Sequence, residues 1–446
     1  MNSFFKIKER GSTVGREIVG GVTTFLAMAY ILAVNPGILS ASGMSWGSVF
    51  TATAISAAIA TLVMGLFANL PVALAAGLGL NAFFSFTVVL GLGCSWQLAL
   101  TAVLLEGILF ILLSIIGIRE AIIKSIPMGM KKAVSVGIGL FICIIGFENA
   151  GIVINNEATL ISFATFSFAH KTALLAVIGL LITIVLYMLK VPGAILIGVI
   201  ATTIIGIPMG VTVVPEDFKV FRLPDAPYFC QFDFKGICLD SEGIFKFAIL
   251  GRFFVIFFTF LFTDLFDTIG TLVGVANQAD LLTEDGSVVN AKQALLSDSI
   301  GTVVGACLGT STVTSYVEST SGVAAGARTG LASVVTAVLF ALALFFGGCF
   351  AIIPSAATAP ALIFVGYLMM QAAGDIDFKD PSEGIPAFIA IVSMPFAYSI
   401  AAGIMYGIIT YVICKVVARK VNEISPVTWG LAVIFVANIV FEACTK

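Results

Sequence analysis

Charge is what this sequence has least of. Of its 446 residues only 11% are Asp, Glu, Lys or Arg, against about 25% in a typical soluble domain. A water-facing surface cannot be built from so few charges, so most of the surface must face lipid. There is one histidine, His170, and no HExxH or phosphate-loop signature. Metallohydrolase and ATPase readings therefore have no anchor. Basic stripes interleaved with aromatics are also missing, which excludes a nucleic-acid partner. The eight cysteines show no metal-ligand spacing. Cys94, Cys143, Cys307, Cys349 and Cys414 sit singly in apolar runs and read as small packing residues. Cys230 and Cys238 share one polar loop; an oxidising compartment would permit a disulfide there, but nothing in the sequence requires it. No soluble-sized polar segment interrupts the chain, which argues for one membrane domain without an appended cytosolic module. Neither a cofactor nor an enzymatic activity is expected.

What is present is hydrophobicity, 59% of residues, with a mean hydropathy of +1.12. A helix that crosses a bilayer needs about 20 apolar residues. Apolar segments recur at 18–40, 48–69, 72–92, 97–117, 133–153, 171–190 and 192–210. A second set follows at 246–276, 292–309, 311–328, 330–350, 356–373, 386–400 and 402–418. The run 427–443 either spans or lies at the interface. The first run is too long for a signal-peptide core and reads as a retained span. Lys6, Lys8, Arg10 and Arg16 precede it; Arg119, Lys124, Lys131 and Lys132 lie between the fourth and fifth; Lys415, Arg419 and Lys420 follow the fourteenth. Fourteen spans put all three clusters on one side, and basic clusters prefer the cytoplasm. The expected organisation is a cytoplasmic N-terminus (1–17), a first seven-span repeat (18–210), an extracytoplasmic loop (211–245), a second repeat (246–418) and a C-terminal segment (419–446). Seven is odd, so the second repeat inserts inverted. Ile126-Pro127 and Ile353-Pro354 each precede an apolar helix, and Phe141 to Gly151 repeats the spacing of Phe364 to Gly374. Inverted repeats are a transporter signature, with the solute site at their interface near the midplane.

Two segments, at the third position of each half, read wrongly for lipid-facing helices. Leu70–Phe86 carries Pro71, Gly77 and Gly79 before Asn81, and these weaken a helix. From Thr310 to Ser321 only Val313 and Val317 are plainly apolar, and the Thr/Val/Tyr-rich start favours extended backbone. A short strand leading into a half-helix fits both. Irregular backbone at membrane depth survives only beside protein or a water-filled cavity, and a half-helix start turns free N–H groups toward that cavity. The competing reading is that the small residues merely permit close helix packing; its weakness is that the same irregularity occurs at matching places in both halves.

Glu106, Asp264, Asp267, Asp298 and Glu318 lie in or near spans, where ionisable residues are costly and usually functional. Asp264 and Asp267, at i and i+3, share a helix face with Thr271 a turn further on. Carboxylates that close repel, so one is expected to keep a proton near neutral pH and to be able to carry it; the alternative is a hydrogen-bonded acid tying helices together. Glu318 reads either as the N3 residue of a capping box begun by Ser315 or as a ligand whose carboxylate accepts two N–H donors of a planar heterocycle. Phe83, Phe84 and Tyr316 could then supply a stacking face. Glu106 and Asp298 read as interhelical hydrogen-bonding residues first.

At these residues the chain resembles a known family. The runs EIVGGVTTFLAMAYILAVNPGIL, AAGLGLNAFFSF, DLFDTIGTLVGVANQADLL, TSYVESTSGVAAGARTGL and MPFAYSIAAGIMYGI are similar, in order and over nearly the whole chain, to the nucleobase–cation symporter-2 family, and within it to the AzgA-like guanine, hypoxanthine and adenine permeases. The resemblance implies an all-α polytopic membrane protein of fourteen spans in two inverted seven-span repeats. It implies core and gate domains, short strands in spans 3 and 10 and an elevator-like movement, often within a homodimer. It implies a purine base, guanine or hypoxanthine before adenine, as substrate and a proton, or sodium, as coupling ion. By the same resemblance Asp267 and Glu318 bind the base, Asn81 with Ala82 and Phe83 belongs to the site, and Tyr316 and Val317 face the base with their backbone. Thr271 joins them from the helix face of Asp267. Proton coupling is expected of Asp267, with Glu318 and Asp264. Thr24 stands where some members carry histidine. Remaining alternatives are an anion exchanger of the same architecture, which paired carboxylates would repel, an intramembrane enzyme, which lacks a nucleophile or metal set, and a passive channel.

Overall fold

The computed structural model describes residues 4–116, 127–164, 170–216, 218–239, 243–283 and 288–445. Arg119, Lys124 and Ile126 lie outside the described residues. The chain runs back and forth across one helical body. Span 1 is Val14–Ser40 and span 2 Trp46–Ala68. Span 3 opens with a three-residue strand, β1 (Leu74–Ala76), and continues as helix over Leu78–Ala82 and Phe83–Gly91. Spans 4 to 7 are Trp96–Ile116, Met128–Asn149, Lys171–Met188 and Ala194–Met209. A hairpin of β2 (Val153–Asn156) and β3 (Leu160–Phe163) joins spans 5 and 6; its polar ends gave no clear strand alternation in the sequence.

The second half repeats the plan. Spans 8 and 9 are Phe247–Gln278 and Ala291–Leu308. Span 10 is strand β4 (Val313–Ser315) followed by helix Ser319–Ala324. Spans 11 to 14 are Gly330–Ala351, Ser355–Met370, Pro381–Phe396 and Ile400–Val417. The fold is the two inverted seven-span repeats expected from the sequence. A twenty-residue helix, Pro426–Thr445, follows; it packs on span 14 and sets Phe435 edge-on to Phe262 of span 8.

Contacts sort the spans into two bodies. Spans 1–4 pack with 8–11, and spans 5–7 with 12–14. Pro127 and Pro354, just outside the starts of spans 5 and 12, suit positions where no N–H partner is needed. Twelve residues beyond each lie Gly139 and Gly366, where the two helices cross: a side chain at Gly139 would meet the Gly366 carbonyl at 3.1 Å. The sequence repeat therefore marks the contact between the two halves of the gate body.

The core body is closed at the N-terminal face by polar contacts among otherwise apolar spans. Glu17, fully buried, accepts N–H bonds from Arg328 at 2.9 Å and Thr329 at 3.2 Å. Arg10 donates to the Asn69 and Arg328 carbonyls, and Asn69 Oδ1 accepts from Gly330 N at 2.8 Å. These bonds pin the start of span 1 and the chain ahead of it to the turns after spans 2 and 10. On the gate body Lys415, almost wholly buried, bridges Glu383 at 2.6 Å and Glu423. Nearby, Lys420 lies 2.6 Å from Asp380; that ammonium, with the Ser382 amide, holds the Asp380 carboxyl well below the usual carboxylate range.

The pairing of Cys230 with Cys238 is not formed: both are free thiols. The connection between spans 7 and 8 instead lays Cys230 against the end of span 9, its N–H donating to the Cys307 carbonyl at 2.7 Å.

Candidate functional site

The two broken spans meet in the middle of the core body. β1 and β4 pair antiparallel, with Leu74 opposite Ser315, Ala75 opposite Thr314 and Ala76 opposite Val313. Strand is the outcome at 313–315 because Val and Thr are β-branched and because Gly309, at φ +90°, ends span 9 and turns the chain back. Backbone groups flanking the strands find partners, as hydrocarbon surroundings demand. Tyr316 N donates to Ala73 O and Gly77 N to Thr312 O, each at 3.0 Å. Thr61 Oγ1 serves both the N–H and the carbonyl of Leu74, and Ser319 Oγ accepts from Ala73 N. Each strand runs into its half-helix within a few residues. The helix in span 10 has only six residues, so it offers the free N–H groups of a first turn rather than a long macrodipole.

A cavity of about 490 Å³ lies against this strand pair. Its inner wall holds Tyr30, Asp267, Thr271, Tyr316, Val317 and Glu318. Its mouth is lined by Met128, Lys131, Lys132 and Asp375, at the start of span 5 and the end of span 12, so it opens on the face that carries the N-terminus. Lys132 and Asp375 pair across the mouth at 3.1 Å.

Five of the residues expected at a site are therefore brought together: Asp267, Thr271, Tyr316, Val317 and Glu318. Glu318 is 7% exposed and accepts a 2.6 Å hydrogen bond at Oε1 from the Tyr30 hydroxyl. The capping box is not formed. Ser315 is a strand residue, Glu318 occupies the N-cap position with helical backbone angles, and no side-chain cap bond is made. The Tyr316 hydroxyl donates to the Ala76 carbonyl at 2.5 Å, so this ring is fixed as part of the wall.

Asn81, Ala82, Phe83 and Asp264 are not in the wall. Asn81 is fully buried behind the strands, where its Oδ1 accepts from Ser311. Phe83 and Phe84 pack on Phe260, the first at 4.8 Å and 72°, and give no stacking face to the cavity. Asp264 and Asp267 diverge: three residues turn a helix through about 300°, leaving the two side chains about 60° apart. Asp267 faces the cavity, while Asp264 turns inward. There Thr268 Oγ1 lies 3.2 Å from Asp264, 3.1 Å from both Asp298 oxygens and 2.9 Å from Thr314 Oγ1. This cluster braces span 8 to span 9 and β4, the role read for Asp298. Glu106 likewise accepts from Thr312 at 2.8 Å. Thr24 packs against Gly322 and does not reach the cavity.

Tyr30 was missed. It lies in an unbroken apolar run where a tyrosine looks like core, and it is indeed 0% exposed. The only signal was a phenol in the middle of a span, where its O–H must find a partner. The backbone of Gly77 to Gly79 also lines the cavity; a side chain at Gly79 would strike Ile138 of span 5 at 2.5 Å. Among the described residues no cluster of three or more His, Cys, Asp or Glu could hold a metal ion.

This geometry has relatives. A family model described as a permease family matches residues 15–406. The chain belongs to that permease family. It is 44% identical to the guanine/hypoxanthine permease PbuG of Bacillus subtilis, over 99% of this chain and 100% of that one. It is 39% identical to the adenine permease AdeP of Escherichia coli, over 98% and 95%. Among solved structures the transmembrane domain of the cyanobacterial bicarbonate transporter BicA superposes with a TM-score of 0.65 at 15% identity, covering 88% of this chain and 97% of that one. That likeness concerns the fold. The permease is thus a multi-pass membrane protein.

Proposed function

We propose that this permease imports purine nucleobases, guanine and hypoxanthine in preference to adenine, by proton symport. The observation that carries the reading is a single cavity in which Asp267 and Glu318 stand beside the β1–β4 crossing with no cationic side chain on the same inner wall. A neutral heterocycle with N–H donors suits two acceptor groups; an anion would be repelled, which counts against a bicarbonate-like exchanger despite the shared fold. With Oε1 engaged by Tyr30, Glu318 still has free acceptor positions on both oxygens. Guanine presents two adjacent N–H donors to such a group. Adenine presents a different edge, and an adenine permease is the second reading, favoured by the likeness to AdeP. The basic clusters ahead of span 1 and at the start of span 5 favour a cytoplasmic N-terminal face, and in that orientation the cavity faces inward across a plasma membrane. Transport then requires spans 1–4 and 8–11, which carry the site, to slide against spans 5–7 and 12–14 in an elevator movement, with a homodimer steadying the gate bodies in the bilayer. Asp267 carries the coupling proton.

The test is uptake of radiolabelled hypoxanthine by the purified protein in liposomes under an inward proton gradient. Accumulation blocked by guanine but not adenine is the expected result. Inhibition by adenine moves the assignment to adenine, and downhill flux without accumulation indicates a channel. Asp267→Asn is expected to retain base exchange between two loaded compartments while losing gradient-driven accumulation; accumulation at the wild-type level would remove Asp267 from the coupling step.

Tyr30 acts as a positioning residue for Glu318. Tyr30→Phe keeps the ring and its packing but removes the hydrogen bond to a charged acceptor, worth roughly 1.5–3 kcal/mol. The KM for uptake is expected to rise about tenfold, with kcat and the melting temperature little changed. Equal loss in kcat would place the phenol in the movement instead.

A further inference from the structure

On the face opposite the N-terminus, residues 218–239 cross the protein between spans 7 and 8 as a strap. Its hydrogen bonds and ring contacts to the rest of the described chain go to the core body. The Tyr228 hydroxyl accepts from Ser45 N at 2.8 Å, between spans 1 and 2. The Tyr228 ring lies 4.8 Å from that of Trp96, and Asp233 N donates to Thr101 Oγ1 at 2.8 Å, both in span 4. Arg222 N donates to Phe345 O in span 11 at 3.1 Å.

At the middle of the strap Cys230 meets Cys307, in the last turn of span 9. The Cys230 N–H donates to the Cys307 carbonyl at 2.7 Å, and the two thiols are close enough to interact. A direct backbone hydrogen bond holds two Cα atoms about 5–6 Å apart, inside the span a disulfide bridges. The register is not left to chance. Cys230 has φ +52°, a left-handed conformation that a residue with a Cβ keeps only when its neighbours hold it. Gly309 has φ +90°, and a side chain there would meet Tyr228 Cβ at 2.6 Å. Strap and span end are thus fitted closely on either side of the pair. Cys230 is exposed, so a reagent can reach it.

We propose that Cys230 and Cys307 are an oxidisable pair that staples the strap to the core body. The two thiols give up two protons and two electrons as one S–S bond forms, and the acceptor is the disulfide of an exofacial thiol oxidoreductase, reduced in turn to a dithiol. Because the strap already travels with the core, the staple rigidifies the outer face without blocking the slide between bodies. The chemistry is independent of which solute is carried.

The experiment treats the full-length protein in membranes with diamide, an azo oxidant that takes up the two hydrogens, then alkylates and maps peptides by mass spectrometry. A Cys230–Cys307 linked peptide that disappears with dithiothreitol is expected, with Cys238 still alkylatable. Cys230→Ser and Cys307→Ser should each abolish the link, and Cys238→Ser should leave it. Retention of both thiols, or a Cys230–Cys238 link instead, would overturn the assignment. In liposomes the oxidised protein should transport its base within about twofold of the reduced one and melt several degrees higher. A tenfold loss of uptake that dithiothreitol reverses would show that the strap does not simply ride on the core.

Discussion

Glu318→Gln is expected to lower the kcat/KM for base uptake on the order of 100-fold. The carboxylate is an acceptor at both oxygens, whereas the glutamine amide replaces one acceptor by a donor. That donor faces either the Tyr30 hydroxyl, 2.6 Å from Oε1, or the N–H groups of the incoming base. Hydrogen bonds to a charged acceptor contribute roughly 1.5–3 kcal/mol each, and two weakened together correspond to about two decades. Glu318→Asp should recover part of the activity, since it keeps the charge one methylene further back. The measurement is initial uptake rate against substrate concentration at constant gradient, with the amount of folded protein fixed by size-exclusion chromatography in detergent. A Gln variant with wild-type kcat/KM would mean that Glu318 only secures Tyr30, and the base-binding role would pass to Asp267 alone.

Gly330→Ala is expected to destabilise the core body by roughly 3 kcal/mol, at the upper end of what overpacking costs, and to leave little folded protein in the membrane. Gly330 begins span 11 where it crosses the end of span 2. A Cβ there would collide with the carbonyl oxygen of Gly65 and lie 2.9 Å from the Cα of Asn69. Both obstacles are backbone and cannot rotate away. Any retreat of span 11 would also pull on the Gly330 N–H bond to Asn69 Oδ1 and on the Arg10 bond to the same turn. Gly15→Ala is the matched control, because a side chain at Gly15 meets nothing within 4 Å. Thermal unfolding of the detergent-solubilised proteins compares the two; equal melting temperatures would show that the crossing relaxes without cost.

The large plan was legible because lipid imposes it. Apolar runs near 20 residues, basic clusters of consistent sidedness and two helix-breaking segments at matching positions follow from the solvent, not from details of packing. The strand pair was readable for a related reason: Thr and Val beside glycines at membrane depth admit few backbone solutions. Side-chain direction was less legible. Asp264 and Asp267 share a face by spacing, yet a difference of about 60° sends one into the Thr268–Asp298 cluster and the other into the cavity. Phe83 and Phe84 were placed near a ring-shaped ligand by their sequence position, but their rotation about the span 3 axis directs them to Phe260. Cys307 was read as packing, and Tyr30 was passed over, because each sits alone in an apolar run. Their partners, Glu318 and Cys230, lie 288 and 77 residues away along the chain, a distance over which periodicity carries no information.

The β1–β4 ladder also sets an order of events during biosynthesis. Leu74 pairs with Ser315, so roughly 240 residues must be made between the first strand and its partner. At roughly 5–20 residues per second the Ala73 carbonyl and the Gly77 N–H wait about 10–50 s for Tyr316 and Thr312, which satisfy them. For that interval the first half holds a polar gap that hydrocarbon will not tolerate. Either span 3 stays outside the lipid until span 10 arrives, or an insertase shelters it. The cavity against the strand pair therefore comes into being in one late step, when the ribosome has already passed two thirds of the message.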